Sequence, residues 1–422
     1  MEMTKRKAVA ALAAMTLAAR AQTEPAARDA GSHPLPAAAP GATGLGRFFK
    51  SQTYHFQTLR ALSDVPFGGA DTGEVLETIK TIKDGDAQGW YAAWTKTGDR
   101  VLALAQETQD PLSKGGAYMR AHNYFRTAEF LLPPDDAKRP ASWERNIGCF
   151  YKALDTLGVA HERFRAPYPG GGLQAIYYPG PAGAASKPLI MFVGGYDSTL
   201  EELYLVLVKA AHDRGYSVLT YEGPGQGEAL RKQGLHFLPE WEKPNGAVLD
   251  AFLHTHAKPV KTILVGMSMG GYLAPRAAAF DDRIDGVVAF DTFFDIGEIA
   301  DGIVKMAANP QARSSPDFIW AMDNARWTMG TADLESTRQA FQAYKLAPVA
   351  ARIRQPVLIL AGAEDHFVPY HQTADFEKSL VNAKSVTTRI FDRASGGAEH
   401  CQLGAATLWH AAFFDWLRKT FA

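Results

Sequence analysis

A serine stands in a glycine-framed turn in the second half of the chain, where Gly266 and Gly270 flank Ser268 at a spacing of two residues. A β-branched apolar run, residues 262–265, precedes this turn, and residues 272–279 have the composition of a helix. A G-x-S-x-G pattern between a strand and a helix predicts a nucleophile elbow, which exposes the serine hydroxyl above the sheet edge. The alternative is an ordinary turn with an N-cap serine, and the flanking elements favour the elbow.

A base and an acid are needed to activate such a serine, and two later strand ends supply them. Asp365 follows a late apolar run, and His400 lies in a glycine-rich loop before the C-terminal helix. We predict that His400 takes the Ser268 proton, while Asp365 fixes the tautomer and stabilises the imidazolium. Glu364 and His366 are the alternatives. The Glu364 side chain should point the other way along the turn, and His366 abuts Asp365 too closely to face the serine.

A second glycine pair, Gly194-Gly195, ends an earlier apolar run. Paired glycines let the backbone approach a substrate closely. We therefore predict that the backbone N–H of Tyr196, together with the N–H of Met269 at the helix start, forms the oxyanion hole.

Asp197 is a carboxylate placed almost inside this loop. Burial would raise its pKa, so that it could donate a proton or polarise a substrate hydroxyl. The other interpretation is a helix cap, since Asp197-Ser198-Thr199 stands before Leu200-Glu201-Glu202-Leu203. From the residues alone, the cap is slightly favoured.

The composition narrows the remaining classes of function. The formal net charge is −1, which gives no indication of a nucleic-acid partner. Two cysteines, Cys149 and Cys401, exclude a disulfide framework and a cysteine-rich zinc site, and we expect free or buried thiols. The glycine-rich loop at 222–228 lacks the spacing of a phosphate or dinucleotide loop. No metal or cofactor is expected, and the predicted partner is a small-molecule substrate.

The first residues have the pattern of a secretory signal. Lys5-Arg6-Lys7 precedes a short alanine-rich apolar run and the small-x-small site Ala19-Arg20-Ala21. The run is too short for a permanent membrane anchor. We expect a signal peptide over 1–21, a periplasmic or secreted protein and a disordered linker over 22–46. The alternatives are a disordered start or a mitochondrial-type presequence.

The rest of the chain divides by its hydrophobic pattern. Residues 47–158 show helical spacing with proline breaks, which predicts an all-helical N-terminal domain. Its aromatic stripe is expected to be helix-packing core, with one or two of its members reaching the active site; these are Trp90, Trp94, Tyr118, Tyr124 and Phe125. From 159 to 422, continuous apolar runs alternate with helical stretches, which predicts a mostly parallel sheet covered on both faces. A helical excursion at about 296–350 predicts a cap over the pocket.

The motifs at 194–199, 222–228, 266–270 and 400–402 resemble those of the α/β-hydrolases that carry an N-terminal helical domain. This group includes 2,6-dihydroxypseudooxynicotine hydrolase, FrsA-type esterases and fungal pigment hydrolases that shorten polyketides. The resemblance implies an α/β-hydrolase fold, a homodimer and a pocket between the helical domain and the hydrolase core. It also adds weight to Asp197, because the matching glutamate of the nicotine-degrading member is needed for carbon–carbon cleavage of a ketone.

The predicted function is therefore that of a metal-independent serine hydrolase that forms an acyl-enzyme. A carboxylic ester is the first choice of substrate. Hydrolysis of a carbon–carbon bond beside a ketone is the alternative, and a peptide bond is the third. A non-catalytic scaffold is the alternative from a different class of function.

Overall fold

An eight-stranded sheet forms the centre of the part of the chain that the computed structural model describes, residues 47–421. The strands are β1 Glu162–Tyr168, β2 Gly171–Tyr178, β3 Leu189–Val193, β4 Val218–Tyr221, β5 Thr262–Met267, β6 Gly286–Phe290, β7 Pro356–Gly362 and β8 Ser385–Phe391. Their order is β1-β2-β4-β3-β5-β6-β7-β8. β1 and β2 pair antiparallel to their neighbours, and the other pairs are parallel.

The continuous apolar runs of the sequence explain the central strands. Every residue of β3, β5, β6 and β7 is buried, because helices cover both faces of the sheet. The order and the crossovers are those of the α/β-hydrolase fold, so the predicted fold class is confirmed. The edge strand β8 is largely exposed.

In the described part of the chain, five α-helices precede the sheet: α1 Gln52–Ser63, α2 Thr72–Ile79, α3 Ala87–Glu107, α4 Pro111–Glu129 and α5 Arg139–Leu157. Their aromatic side chains form a dense cluster, in which Trp90 and Trp94 are fully buried and the Trp90 indole donates to the Thr127 carbonyl at 2.7 Å. The expectation that one or two of Trp90, Trp94, Tyr118, Tyr124 and Phe125 reach the active site is wrong, since none of them lines the cavity described below. In the described N-terminal region, the aromatic residues that line it are Phe56 of α1 and Phe67 in the short turn after α1.

The α-helices that follow β3 lie between successive strands, except the last, which follows β8. They are α6 Lys209–His212, α7 Gly227–Arg231, α8 Glu242–Thr255, α9 Gly270–Ala278, α10 Ile296–Ala307, α11 Pro310–Arg313, α12 Pro316–Met329, α13 Leu334–Phe341, α14 Tyr370–Ser379 and α15 Ala406–Phe421. A π-helical turn, Tyr204–Val208, leads into α6. Helices α10 to α13 form one excursion between β6 and β7, above the carboxyl ends of the strands.

Side-chain contacts join this excursion to the N-terminal helices. The Asp317 carboxylate of α12 accepts hydrogen bonds from the Ser51 hydroxyl at 2.6 Å and the Thr53 amide at 2.8 Å. The Trp320 indole donates to the Phe130 carbonyl at 3.1 Å. The space over the sheet edge is therefore enclosed from two sides.

The predicted signal peptide and linker, residues 1–46, lie outside the described residues. Among the helices that the structure describes, none has the length and apolar character needed to cross a membrane.

Candidate active site

The turn after β5 places Ser268 in a strained backbone conformation with φ of 59°. A side chain at Gly266 would put its Cβ 1.9 Å from the Gly270 carbonyl oxygen, so the turn closes only with glycine there. The Ser268 amide donates to the Phe290 carbonyl at 2.9 Å, which ties the turn to β6. These are the features of a nucleophile elbow.

His400 links this serine to an acid. Its Nε2 lies 2.8 Å from Ser268 Oγ, and its Nδ1 lies 2.6 Å from Asp365 Oδ2. The other Asp365 oxygen accepts the amides of Phe367 at 2.7 Å and Val368 at 2.9 Å, which fixes the carboxylate. The structure thus brings together the three side chains that the sequence selected, in an arrangement that can carry a proton from the hydroxyl to the imidazole.

Electrostatics within this pair favour the charged forms. Burial is the largest single influence on the His400 imidazole and lowers its pKa, but the charge of Asp365, the neighbouring Cys401 and the hydrogen bond to Asp365 together raise that pKa well above 6.5. Burial is also the largest influence on Asp365 and opposes its ionisation, but the charge and hydrogen bond of His400, with smaller help from His366 and the Val368 amide, together hold the pKa of Asp365 below its usual value. The site is therefore built to stabilise an imidazolium–carboxylate pair.

A second carboxylate, Asp291, also faces the imidazole. It follows β6 with φ of 57°, is fully buried, and has its Oδ2 3.6 Å from His400 Nδ1. The amides of Gly362 and Cys401 donate to it. Burial and the repulsion of Asp365 raise the pKa of Asp291 to about 7. Sequence reasoning missed Asp291, although its position directly after a buried strand was an available signal.

The loop after β3 packs against the serine. A Cβ at Gly195 would lie 2.7 Å from that of Ser268, so glycine is required for this approach. In the described part of the chain, the amides of Tyr196 and Met269 have no protein acceptor. Both predicted donors thus remain available to a substrate oxygen.

Gln226 holds that loop in place. Its side-chain amide donates to the carbonyls of Gly194 at 3.0 Å and Gly195 at 2.8 Å, and its oxygen accepts the Gly223 amide at 3.0 Å. The glycine-rich loop at 222–228 is therefore a support for the oxyanion loop. No sequence signal identified Gln226 for this purpose.

Asp197 does not cap a helix, so the cap interpretation is wrong. No α-helix begins at Leu200. The Asp197 side chain is 24% exposed and pairs with Arg60 of α1, whose Nη1 lies 3.1 Å from Oδ1. Arg60 also bonds both oxygens of Glu202. Arg60 stands 137 residues before Asp197, and nothing local in the sequence connects the two.

A cavity of about 1500 Å³, which includes space open to solvent, extends from Ser268 and His400. Its wall is largely apolar and includes side chains of α10, α12 and α13 and Phe56 of α1. The rings of Phe56, Phe293 and Phe367 lie 5.0 to 6.1 Å from the His400 ring. Arg60 and Asp197 are at a polar end of the same cavity.

The rejected candidates face elsewhere. Glu364 pairs with Arg393 near the surface. His366 lies 3.6 Å from a Glu399 oxygen and against the Phe56 ring. Cys149 and Cys401 are both buried and free, as expected.

One group of described side chains is compact enough to ligate a metal ion, namely Asp291, His400 and Cys401. Both ring nitrogens of His400 are already engaged, with Ser268 and with Asp365. A metal bound there would have to displace one of these hydrogen bonds.

Comparison with known proteins agrees with this geometry. A profile described as "Alpha/beta hydrolase family" matches residues 190–406. The chain is also 32% identical to Hydrolase acrC of Aspergillus aculeatus, over 89% of this chain and 98% of that protein. The chain belongs to the alpha/beta hydrolase family. It is accordingly an enzyme, a hydrolase, as the motifs predicted.

Two further matches describe the neighbourhood of this hydrolase. It is 30% identical to 20-hydroxy-prefusarin hydrolase FUS2 of Gibberella moniliformis, over 90% of this chain and 99% of that one. The crystal structure of 2,6-dihydroxy-pseudo-oxynicotine hydrolase superposes with a TM-score of 0.70 at 22% identity, covering 86% of this hydrolase and 96% of that chain. The structural match supports the fold.

Proposed function

We propose that this hydrolase is a serine hydrolase whose first substrate class is a carboxylic ester. The observation that carries the proposal is the unbroken hydrogen-bond chain from Ser268 Oγ through His400 to Asp365. It begins at a strained elbow and ends in a buried acid, inside a largely apolar cavity. A small organic substrate fits such a cavity.

In the first half-reaction, Ser268 Oγ attacks the carbonyl carbon while its proton moves to His400 Nε2. The carbonyl oxygen becomes an oxyanion held by the amides of Tyr196 and Met269. Asp365 stabilises the imidazolium that has formed. Collapse of the intermediate breaks the bond to the leaving alkoxide, which takes the proton from His400. The acyl group is left on the serine.

In the second half-reaction, water attacks the acyl carbon as His400 accepts one of its protons. The second tetrahedral intermediate uses the same two amides. Its collapse releases the acid, and the His400 proton returns to Ser268 Oγ. The three phenylalanine rings around the imidazole restrict bulk water, which strengthens the electrostatic contacts.

Hydrolysis of a carbon–carbon bond beside a ketone is the alternative, and Asp197 is the observation that favours it. Its carboxylate is held by Arg60 at the polar end of the cavity, where it can accept a hydrogen bond from a substrate hydroxyl. The names of two similar proteins, 20-hydroxy-prefusarin hydrolase and 2,6-dihydroxy-pseudo-oxynicotine hydrolase, both describe hydroxylated molecules. An aromatic or enolic hydroxyl could stabilise the departing carbanion until His400 protonates it.

A fluorophosphonate probe tests whether Ser268 is a nucleophile. We expect labelling of the wild-type protein and none of the Ser268→Ala variant. Ser217→Ala, at the start of β4, is the control and should still be labelled. An unreactive wild-type protein would favour the non-catalytic scaffold.

The scissile bond is tested by assaying aryl esters, phenolic ketones and short peptides side by side. The comparison of wild type with Asp197→Asn separates the two main candidates. Loss of ketone cleavage with ester cleavage retained would establish the carbon–carbon reaction. Equal ester activity in both proteins, with no ketone cleaved by either, would leave Asp197 without a chemical role. Cleavage of peptides alone would favour the peptidase reading.

Export to the periplasm or beyond and assembly as a homodimer stay predictions. Cell fractionation and light scattering of the purified protein would test them.

A further inference from the structure

A second, smaller cavity adjoins the active-site cavity on the far side of the Tyr196–Asp197 turn. Its volume is about 470 Å³, again including space open to solvent. It lies among the end of α4, the start of α5, helix α7 and helix α12. The two cavities share Tyr196, Asp197, Ser198 and Trp320 as lining residues, so they lie side by side at this turn. We call the smaller one the arginine cavity, because Arg126, Arg139 and Arg231 line it.

The arginine cavity has more positive than negative groups. Its carboxylates are Glu129 and Asp197. Glu129 serves two of the arginines at once, with its oxygens 3.3 Å from Arg139 Nε and 2.7 Å from Arg231 Nη2. Two guanidinium groups therefore share one buried carboxylate.

The third arginine does not relieve this imbalance. Arg126 lies 2.7 Å from Glu202, but Glu202 and Asp197 are both already bound by Arg60. Taken together, four guanidinium groups face three carboxylates. Two further acids act on these arginines from outside the lining of the arginine cavity. Burial raises the pKa of Asp64 to about 7, so Asp64 is only partly ionised at neutral pH. Asp136 accepts hydrogen bonds from Gln88 and the Lys138 amide and adds a smaller attraction to Arg139.

The pKa of Arg139 is consistent with this excess of positive charge. Burial lowers its pKa to about 10, and the charge of Arg231 acts in the same direction against the attraction of Glu129. Both guanidinium groups also lie over the Trp327 ring, at 4.7 Å and 5.3 Å from its centroid. The ring fixes their positions, so an incoming anion finds them already in place.

Two buried polar groups of the lining have no partner in the described structure. They are the Asn324 side-chain NH₂ and the Thr199 hydroxyl, on residues that are 6% and 5% exposed. Leaving such a group unpaired destabilises a folded protein, so a bound oxygen atom that accepts from it would be favoured. Both can donate to an oxygen atom, which is the kind of atom that the guanidinium groups also bind.

We propose that the arginine cavity binds a carboxylate at the remote end of the substrate. This inference rests on the proposed function, because it treats the arginine cavity as an extension of the site where the substrate is hydrolysed. The substrate class is then an elongated, mainly apolar molecule with an acid group beyond the scissile bond. The apolar part occupies the large cavity, and the acid group reaches Arg139 and Arg231 past the Tyr196–Asp197 turn.

Binding to the Ser268→Ala variant tests this without reliance on turnover. A series of ω-phenylalkanoates of increasing length is titrated by calorimetry, beside the matching ω-phenylalkanols. We expect one chain length at which the acid binds roughly tenfold more tightly than the alcohol, as a charged hydrogen bond implies. If no acid in the series binds more tightly than its alcohol, the proposal is overturned.

The second test introduces Arg231→Gln into the same background, with Arg276→Gln as a matched control. Arg231 is 15% exposed and makes two hydrogen bonds to Glu129. Arg276 is 16% exposed and makes two to Glu242, away from both cavities. We expect the acid-to-alcohol preference to fall roughly tenfold in the first variant and to persist in the second. Arg231→Lys should restore part of it.

Kinetics then separate this inference from the proposed function. The substrates are aryl esters of ω-carboxyalkanoic acids and their methyl-capped counterparts, and the readout is the ratio of their kcat/KM values. A ratio above one that falls in Arg231→Gln supports the inference. Cleavage of both esters at equal efficiency overturns it while leaving the serine hydrolase in place. If no ester is cleaved but the acid preference in binding is present, the proposed ester activity fails and the carboxylate site stands.

Discussion

Asp291 Oδ2 lies 3.6 Å from the same nitrogen of His400 that contacts Asp365. Two carboxylates from neighbouring strand ends thus face one imidazole edge, Asp365 at 2.6 Å and Asp291 behind it. Asp291 is surrounded by the His400 imidazole, the Asp365 carboxylate, the Cys401 thiol and amide, the Gly362 amide and the Gln402 side chain. When Asp291 ionises, its charge adds to that of Asp365 in stabilising the imidazolium.

Replacement of this second acid should therefore alter the pH profile. His400 must be neutral to accept the Ser268 proton, so activity rises as pH rises through its pKa. Asp291→Asn removes a nearby negative charge, which lowers the pKa of His400 and moves the acid limb of kcat/KM to lower pH by about half a unit to one unit. Asp285→Asn, at the other end of β6, is the control. If the acid limb of kcat/KM does not move, the role of Asp291 would be only to accept hydrogen bonds from the Gly362 and Cys401 amides.

The support for the oxyanion loop leads to a second prediction. Gln226→Ala removes the hydrogen bonds to the Gly194 and Gly195 carbonyls, so the Tyr196 amide loses its fixed position. We expect kcat to fall roughly 10- to 100-fold, with a smaller change in KM, because the contact matters most in the transition state. Gln233→Ala is matched, since Gln233 also binds a backbone carbonyl, that of Gly172 at 2.8 Å. Equal losses in the two variants would argue against a special role for Gln226.

The elbow glycine should be indispensable for folding. In Gly266→Ala the new Cβ would meet the Gly270 carbonyl oxygen, which is backbone and cannot rotate away. We expect a loss of about 3 kcal/mol or more in the free energy of unfolding, measured with urea. Gly302→Ala, in α10, meets nothing within 4 Å and should instead stabilise by about 0.5–1 kcal/mol. A tolerated Gly266→Ala would contradict the described turn.

A buried histidine outside the Ser268–His400–Asp365 hydrogen-bond chain should make stability depend on pH. His410 lies 2.7 Å from the Val206 carbonyl, and burial lowers its pKa to about 4. Its unfolded pKa is about 6.5, so the folded state binds fewer protons between these values. The neutral His410 therefore makes its full contribution to the free energy of unfolding above about pH 6.5. That contribution is lost as pH falls towards about 4, by up to about 3 kcal/mol.

Urea unfolding of wild type and His410→Gln across this range checks that prediction. The difference in unfolding free energy between the two proteins should shrink as pH falls. His254→Gln, on an exposed ring of α8, controls for loss of a histidine as such. A difference that stays constant with pH would show that His410 is not held neutral by the fold.

The central sheet could be predicted from the sequence because parallel strands that are buried on both faces are continuous apolar runs. The apolar run at 262–265, for example, lies within β5, in which every residue is buried. The positions of Ser268, Asp365 and His400 were also readable, because each follows a strand and parallel strands end at one edge. Asp291 meets the same criterion, but a lone carboxylate without a glycine-rich motif was not singled out.

Other parts of the site had no local signal. Arg60 and Phe56 reach the cavity only because α1 packs over the sheet edge, a relation set by tertiary structure. Asp197 resembled a cap because its neighbours are good capping residues, yet the strong charge of Arg60 decides its contact. The arginine cavity likewise joins residues from helices far apart in the chain. Its excess of positive charge therefore could not be predicted from any one stretch of the sequence.

Helix α1 supplies Phe56 and Arg60 to the cavity but none of the three residues that would handle protons. This helix therefore shares in recognition, with α10, α12, α13 and the arginine cavity, but takes no part in proton transfer. Gene duplicates could acquire new substrates by altering one short N-terminal segment while the strand-end machinery stays fixed. Grafting α1 between relatives is thus a direct route to redesigned selectivity.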